Sequence, residues 1–142
     1  MTILDVNLLL YAYDAKALQH ACAQGWLTDL LSSSEQIGLA WVTIWAFIRI
    51  STSSRILSTP LEPKKAFEVI ADWVAQPGVI VVQPGPRHAE LLERLVLTYG
   101  AAGPLVTDAV LAALAIEHGA VLASTDQDFR RFAELRWVNP LA

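Results

Sequence analysis

Short apolar, β-branched runs alternate with longer stretches of helical periodicity along the whole chain. Residues 2–5 predict a buried strand and residues 6–13 a short helix. Residues 20–31 predict a longer helix with Trp26, Leu27, Leu30 and Leu31 on one face, ended by Ser32, Ser33 and Ser34. A short strand is expected at residues 37–40 and a helix at 43–51. Pro63 suits the first turn of a helix over residues 63–75. Residues 79–83 form the clearest strand, β-branched and bounded by Gly78 and Pro84. An amphipathic helix over 87–99 should stop at Gly100, and a helix over 106–118 at Gly119. The latter is apolar on nearly every face and should be central. A strand at 121–124, a helical turn at 129–132 and an edge strand at 136–138 complete the chain. Strands alternating with helices predict an α/β fold, a parallel sheet flanked by helices on both faces. No linker separates two bodies, so residues 1–142 are expected to form one domain.

Composition supports a self-sufficient core: 54% of residues are hydrophobic and 17% charged. Cys22, the single cysteine, lies between Ala21 and Ala23 and is read as a packed helix residue. With no cysteine–histidine cluster, a structural zinc site is not expected. The start of the chain reads as strand rather than as a leader, and no apolar run is long enough to span a membrane. A cytoplasmic protein without a membrane partner is therefore expected. The net charge of -4 means that nucleic-acid binding would need a local basic patch.

Three aspartates stand where such a fold places its ligand crevice. Asp5 closes the first strand, Asp126 follows the run 120–125, and Asp108 heads the apolar helix. Each also has a local use. Asp5 can cap a helix, Asp108 can favour a helix N-terminus, and Asp126 and Asp128 can cap the turn before Phe129. Yet an aspartate heading so apolar a helix is either at a pocket or costly. Acids gathered in one crevice repel each other, and a divalent cation relieves the repulsion. An all-oxygen donor set points to Mg2+ or Mn2+ and to chemistry on phosphates.

The start Asp5-Val6-Asn7-Leu8-Leu9, the segment Val106-Thr107-Asp108-Ala109 and the segment Ser124-Thr125-Asp126-Gln127-Asp128-Phe129 resemble the signature of PIN-domain ribonucleases. More narrowly they resemble VapC toxins of bacterial toxin–antitoxin pairs. The stretches 41–52, 84–88 and 135–140 are similar to a VapC subfamily common in mycobacteria. The resemblance implies a single PIN-like domain and a Mg2+-dependent endoribonuclease, with Mn2+ as the alternative ion. Asp5, Asp108 and Asp126 match its metal-binding and catalytic carboxylates, and Asp128 assists as a further metal-site acid. Asn7, Thr107 and Thr125 are expected to support these acids. The implied partners are structured RNA, a VapB-like antitoxin whose tail covers the crevice, and a second copy of the chain.

In one place the chain departs from that family. Where a glutamate is usual in the helix before a Phe/Leu-x-Arg step, the sequence reads Trp45-Ala46-Phe47-Ile48-Arg49. One carboxylate fewer weakens the case for two tightly held metals. Arg49, Arg55, Arg87, Arg130 and Arg131 are the candidates for holding RNA, although an arginine taken singly is more often a solvated surface residue. Two other readings stay open: a protein that binds RNA or antitoxin with little turnover, and a phosphatase of the haloacid dehalogenase kind. A missing lysine and a chain too short for a cap domain count against the second.

Overall fold

The computed structural model describes all 142 residues. The elements run β1 (Thr2–Leu4), α1 (Val6–Tyr13), α2 (His20–Ser32), β2 (Ile37–Ala40), α3 (Trp41–Ser51), α4 (Pro63–Val74), β3 (Val79–Val82), α5 (His88–Tyr99), α6 (Leu105–Glu117), β4 (Val121–Ala123), a 3-10 turn (Gln127–Arg131) and β5 (Trp137–Val138). All five strands are parallel, in the order β3-β2-β1-β4-β5. The expected α/β fold is therefore the observed one.

Strand alternation divides the core in two. Ile3 and Leu122 point to a face covered by α5, α6 and the 3-10 turn, where Leu91, Leu95, Leu111, Phe129 and Phe132 are buried. Leu4 and Ala123 point to the opposite face, packed by α1, α2, α3 and α4 through Leu8, Leu9, Leu27, Phe47 and Trp73. Helix α6 is sunk into the first face with six buried residues, as its uniformly apolar sequence requires. It ends where Gly119 takes φ 62°, a conformation that a side chain would disfavour.

Helix α3 starts two residues earlier than periodicity indicates. Strand β2 runs straight into it, with Ala40 extended at φ -81° and ψ 150° and no turn residue between them. Cys22 is exposed, contrary to its reading as a packed residue. The buried stripe of α2 is Ala23 and Leu27, one turn apart, and Cys22 falls off it. No helix is long and apolar enough to cross a membrane.

At Gly38 of β2 the side chains of the two flanking strands leave no room for another. A Cβ there would lie 2.6 Å from Val82 Cγ2 and 2.9 Å from Ile3 Cγ1. Gly38→Ala is expected to destabilise the fold by about 1–3 kcal/mol, the usual cost of overpacking. Urea unfolding gives the value, and a variant as stable as the parent would show that the sheet relaxes there without cost.

Candidate active site

The strand order reverses direction about β1. The chain leaves β1 toward β2 and β3 on one side, and β4 and β5 lie on the other. Helices leaving opposite faces part at such a point, and a crevice opens beyond the carboxyl ends of the two central strands. Here it measures about 330 Å³. Asp5, Asn7, Thr43, Ala46, Arg49, Thr107, Asp108 and Asp126 are among its lining residues.

Each acid has its own support. Asp5 directly follows β1 and caps α1, accepting a hydrogen bond from the Val6 amide at 2.7 Å. Its other oxygen accepts from the Ser124 hydroxyl at 2.6 Å. Asp108 lies in the first turn of α6, where the helix dipole favours a negative charge. Asp126 caps the 3-10 turn, accepting from the Asp128 amide at 2.8 Å. Oxygens of Asp108, Asp126 and Asp128 lie within 4.8 Å of one another. That close set takes in Asp128 and leaves out Asp5, which shares the crevice from its buried side.

Crowding and burial reach the proton equilibria. Asp108 is pushed up to about 6, first by burial, then by the charges of Asp126, Asp5 and Asp128, with Arg131 opposing. Asp5 is also held above the usual carboxylate range, chiefly by burial, against its hydrogen bonds from Ser124 and Val6. A divalent cation among these groups would offset what raises them.

Ser124 is the residue that sequence reasoning named in a motif but gave no part. It is fully buried. Its hydroxyl donates to Asp5, accepts from Asn7 Nδ2 at 3.2 Å and accepts from the Asp126 amide at 3.0 Å. One hydroxyl thus joins the crevice acids at the ends of β1 and β4. The signal was available: a small polar residue directly after a strand, on the same grounds that picked out Asp5. Buried Thr43 was missed too; it lines the crevice and donates to the Leu4 carbonyl at 3.2 Å. Asn7 Oδ1 is buried without a hydrogen-bond partner beside the acids. Thr107 lines the crevice, whereas Thr125 does not.

Residues 2–135 match the PIN domain family. Ribonuclease VapC37 of Mycobacterium tuberculosis is 42% identical over 142 residues, covering 100% of this chain and 99% of its own. The chain belongs to the PIN-domain family, in its VapC branch. Ribonuclease VapC33 of the same organism is 41% identical over 141 residues, covering 99% of each chain. In fold, the PIN domain is similar to VapBC-1 from nontypeable Haemophilus influenzae, with a TM-score of 0.74 at 16% identity over 99% of this chain and 98% of that one. It is also similar to FitAcB from Neisseria gonorrhoeae, with a TM-score of 0.66 at 19% identity over 99% and 98%.

The basic candidates of this PIN domain occupy different places. Arg49 lines the crevice. Arg55 is exposed in the turns after α3, away from it, and Arg87 is exposed before α5. Arg131 donates from Nε to the Asp128 carbonyl at 3.2 Å, with its guanidinium 3.9 Å from the Asp128 carboxylate. Arg130 sits over the Trp137 ring, 5.6 Å from its centroid. Ala46 faces the crevice from α3, so the position where PIN relatives are expected to carry a glutamate is turned toward the acids. The other side of α3 presents Trp41, Trp45 and Ile48, which with Phe67, Ile70 and Val74 of α4 line an apolar groove of about 530 Å³.

Proposed function

We propose that this PIN domain is a divalent-metal-dependent endoribonuclease, the toxin of a toxin–antitoxin pair. The observation that carries the reading is the close set of Asp108, Asp126 and Asp128 oxygens, within 4.8 Å of one another, with Asp108 and Asp126 lining the crevice that Asp5 also lines and Asp128 exposed beside it. The donor set is all oxygen, as Mg2+ or Mn2+ requires. The burial and then the acid–acid repulsion that raise Asp108, and an unpaired buried Asn7 oxygen, fit a cation with its hydration shell. Asp108, Asp126 and Asp128 would hold the ion, with Asp5 on its buried side. When bound, the ion supplies the charge that activates water and offsets charge developing on phosphate.

The chain's own groups do the remaining work. Asp126 or Asp128 orients the attacking water by accepting its hydrogen bond. Arg49, at the crevice wall, pairs with a phosphate oxygen of the strand being cut, and the exposed Arg55, outside the crevice, contacts RNA further from the cut. Single-stranded loops of structured RNA fit so open a site, because their bases and backbone are accessible. The protein partners expected are a VapB-like antitoxin whose tail covers the acids, and a second copy of the chain. Relatives that are named ribonucleases, and solved neighbours that are VapBC pairs, support this reading.

Ala46 favours a second reading, an RNA- or antitoxin-binding protein with weak turnover, because the crevice has one acid fewer than the family pattern implies. Purified chain incubated with structured RNA in Mg2+ or in EDTA, beside a phosphomonoester assay, separates the possibilities. Discrete RNA fragments that require Mg2+ are the expected result. Binding without fragments would favour the weak-turnover reading, and phosphomonoester hydrolysis alone would favour a phosphatase.

A further inference from the structure

Strand β5 has two residues and lies at the edge of the sheet. So short an edge strand contributes little by its ladder alone. Its sequence and register give it another use. Leu122 pairs with Trp137 and Ala123 with Val138, and the Ser124 amide donates to the Val138 carbonyl at 3.0 Å. In a parallel ladder continued one step further, the donor to the Ser124 carbonyl would be the backbone N–H of residue 140. That residue is Pro140, which has none. The indole N–H of Trp137 takes its place, donating to the Ser124 carbonyl at 3.0 Å.

Ser124 is therefore fixed at all three of its polar groups. Its N–H and C=O are held by β5, and its hydroxyl is shared among Asp5, Asn7 and the Asp126 amide. The loop that leaves Ser124 carries Asp126 and Asp128, and returns to the same indole where Arg130 lies over the ring. One side chain meets the loop at both ends.

We propose that Trp137 is a positioning residue: its indole clamps the loop 124–130, setting where the carboxylates of Asp126 and Asp128 stand. Its effect on an ion rests on the metal reading above, whereas its effect on the loop does not. The carbonyl that the indole serves belongs to a fully buried residue, so losing the donor leaves that carbonyl without its partner. Arg130 is assigned to the clamp rather than to RNA, since its guanidinium is already engaged by the ring.

The test compares parent, Trp137→Phe and the double variant Trp137→Phe/Pro140→Ala. The double variant restores a backbone N–H at the ladder position. Amide hydrogen exchange is read in metal-free protein, and Mn2+ binding is read by electron paramagnetic resonance. In Trp137→Phe, exchange at Asp126 and Asp128 should accelerate while that of buried α6 amides stays as in the parent. Mn2+ should bind roughly fivefold more weakly, the effect of about one hydrogen bond. The double variant should recover part of both losses. Unchanged exchange at Asp126 and Asp128 in a folded Trp137→Phe overturns the clamp, whatever the ion does. Parental Mn2+ affinity despite faster exchange overturns its role in setting the carboxylates. If no variant or parent binds Mn2+, the metal reading fails while the exchange data still decide the clamp. If Trp137→Phe does not fold, restored folding and protection in the double variant support the clamp, and their absence overturns it.

Discussion

Asp108→Asn is expected to abolish Mg2+-dependent RNA cleavage while leaving the fold intact. A loss on the order of a hundredfold or more is expected, comparable to removing one electrostatic contact to developing charge. The same change should stabilise the metal-free protein. Burial first, and then Asp126, Asp5 and Asp128, raise the Asp108 carboxyl to about 6 from its ordinary value of 3.8. Between those values the folded state binds more protons than the unfolded one, so stability falls as pH rises through that window. Above it the ionised group carries the whole cost, and below about pH 4 the cost vanishes. Solvent screening of this part-exposed group reduces the cost at neutral pH to about 1–2 kcal/mol. Thermal melts in EDTA should thus place Asp108→Asn above the parent at pH 7 and level with it near pH 4. Saturating Mg2+ should narrow the pH 7 gap by binding the parent's folded state. Cleavage by the variant at the parent rate would mean that the chemistry is elsewhere.

Ala46→Glu is expected to tighten the binding of Mg2+ or Mn2+. Ala46 lines the crevice on the face of α3 that also carries Thr43 and Arg49, so a longer side chain extends toward the acids. A glutamate adds an oxygen donor and one negative charge beside a divalent ion. For a partly solvated pair this amounts to about 1–2 kcal/mol, or roughly tenfold in affinity. Cleavage should rise with it where metal occupancy limits the rate. In EDTA the added acid should lower stability, because it joins groups that already repel one another. Calorimetric titration of metal into both proteins measures the difference. Equal affinities would show that the new carboxylate does not reach the ion.

Much of this was legible in the chain because it depends on local rules. Apolar periodicity and the stops at Gly100 and Gly119 located α5 and α6 to within a residue or so. The alternation of elements gave the parallel sheet, and residues placed after strands or at a helix start gave Asp5, Asp108 and Asp126. What escaped depends on long-range register. Ser124 joins Asp5 only because β1 and β4 pair, aligning Leu4 with Ala123. The substitution of an indole for a missing proline N–H is visible only once β5 is registered against β4. That Asp128 rather than Asp5 completes the close set follows from the 3-10 turn, which brings its carboxylate back beside Asp126. The start of α3 has no local marker: the extended Ala40 leads straight into the helix with no capping side chain and no turn residue.

The most direct measurement is anomalous diffraction from a crystal of this chain soaked in Mn2+, collected at the manganese absorption edge. The expected result is a peak in the crevice bounded by oxygens of Asp108, Asp126 and Asp128, absent from a crystal of Asp108→Asn soaked in the same way. A parent crystal with no peak there at millimolar Mn2+, or with the ion held elsewhere, would contradict the assignment of this crevice as the metal centre.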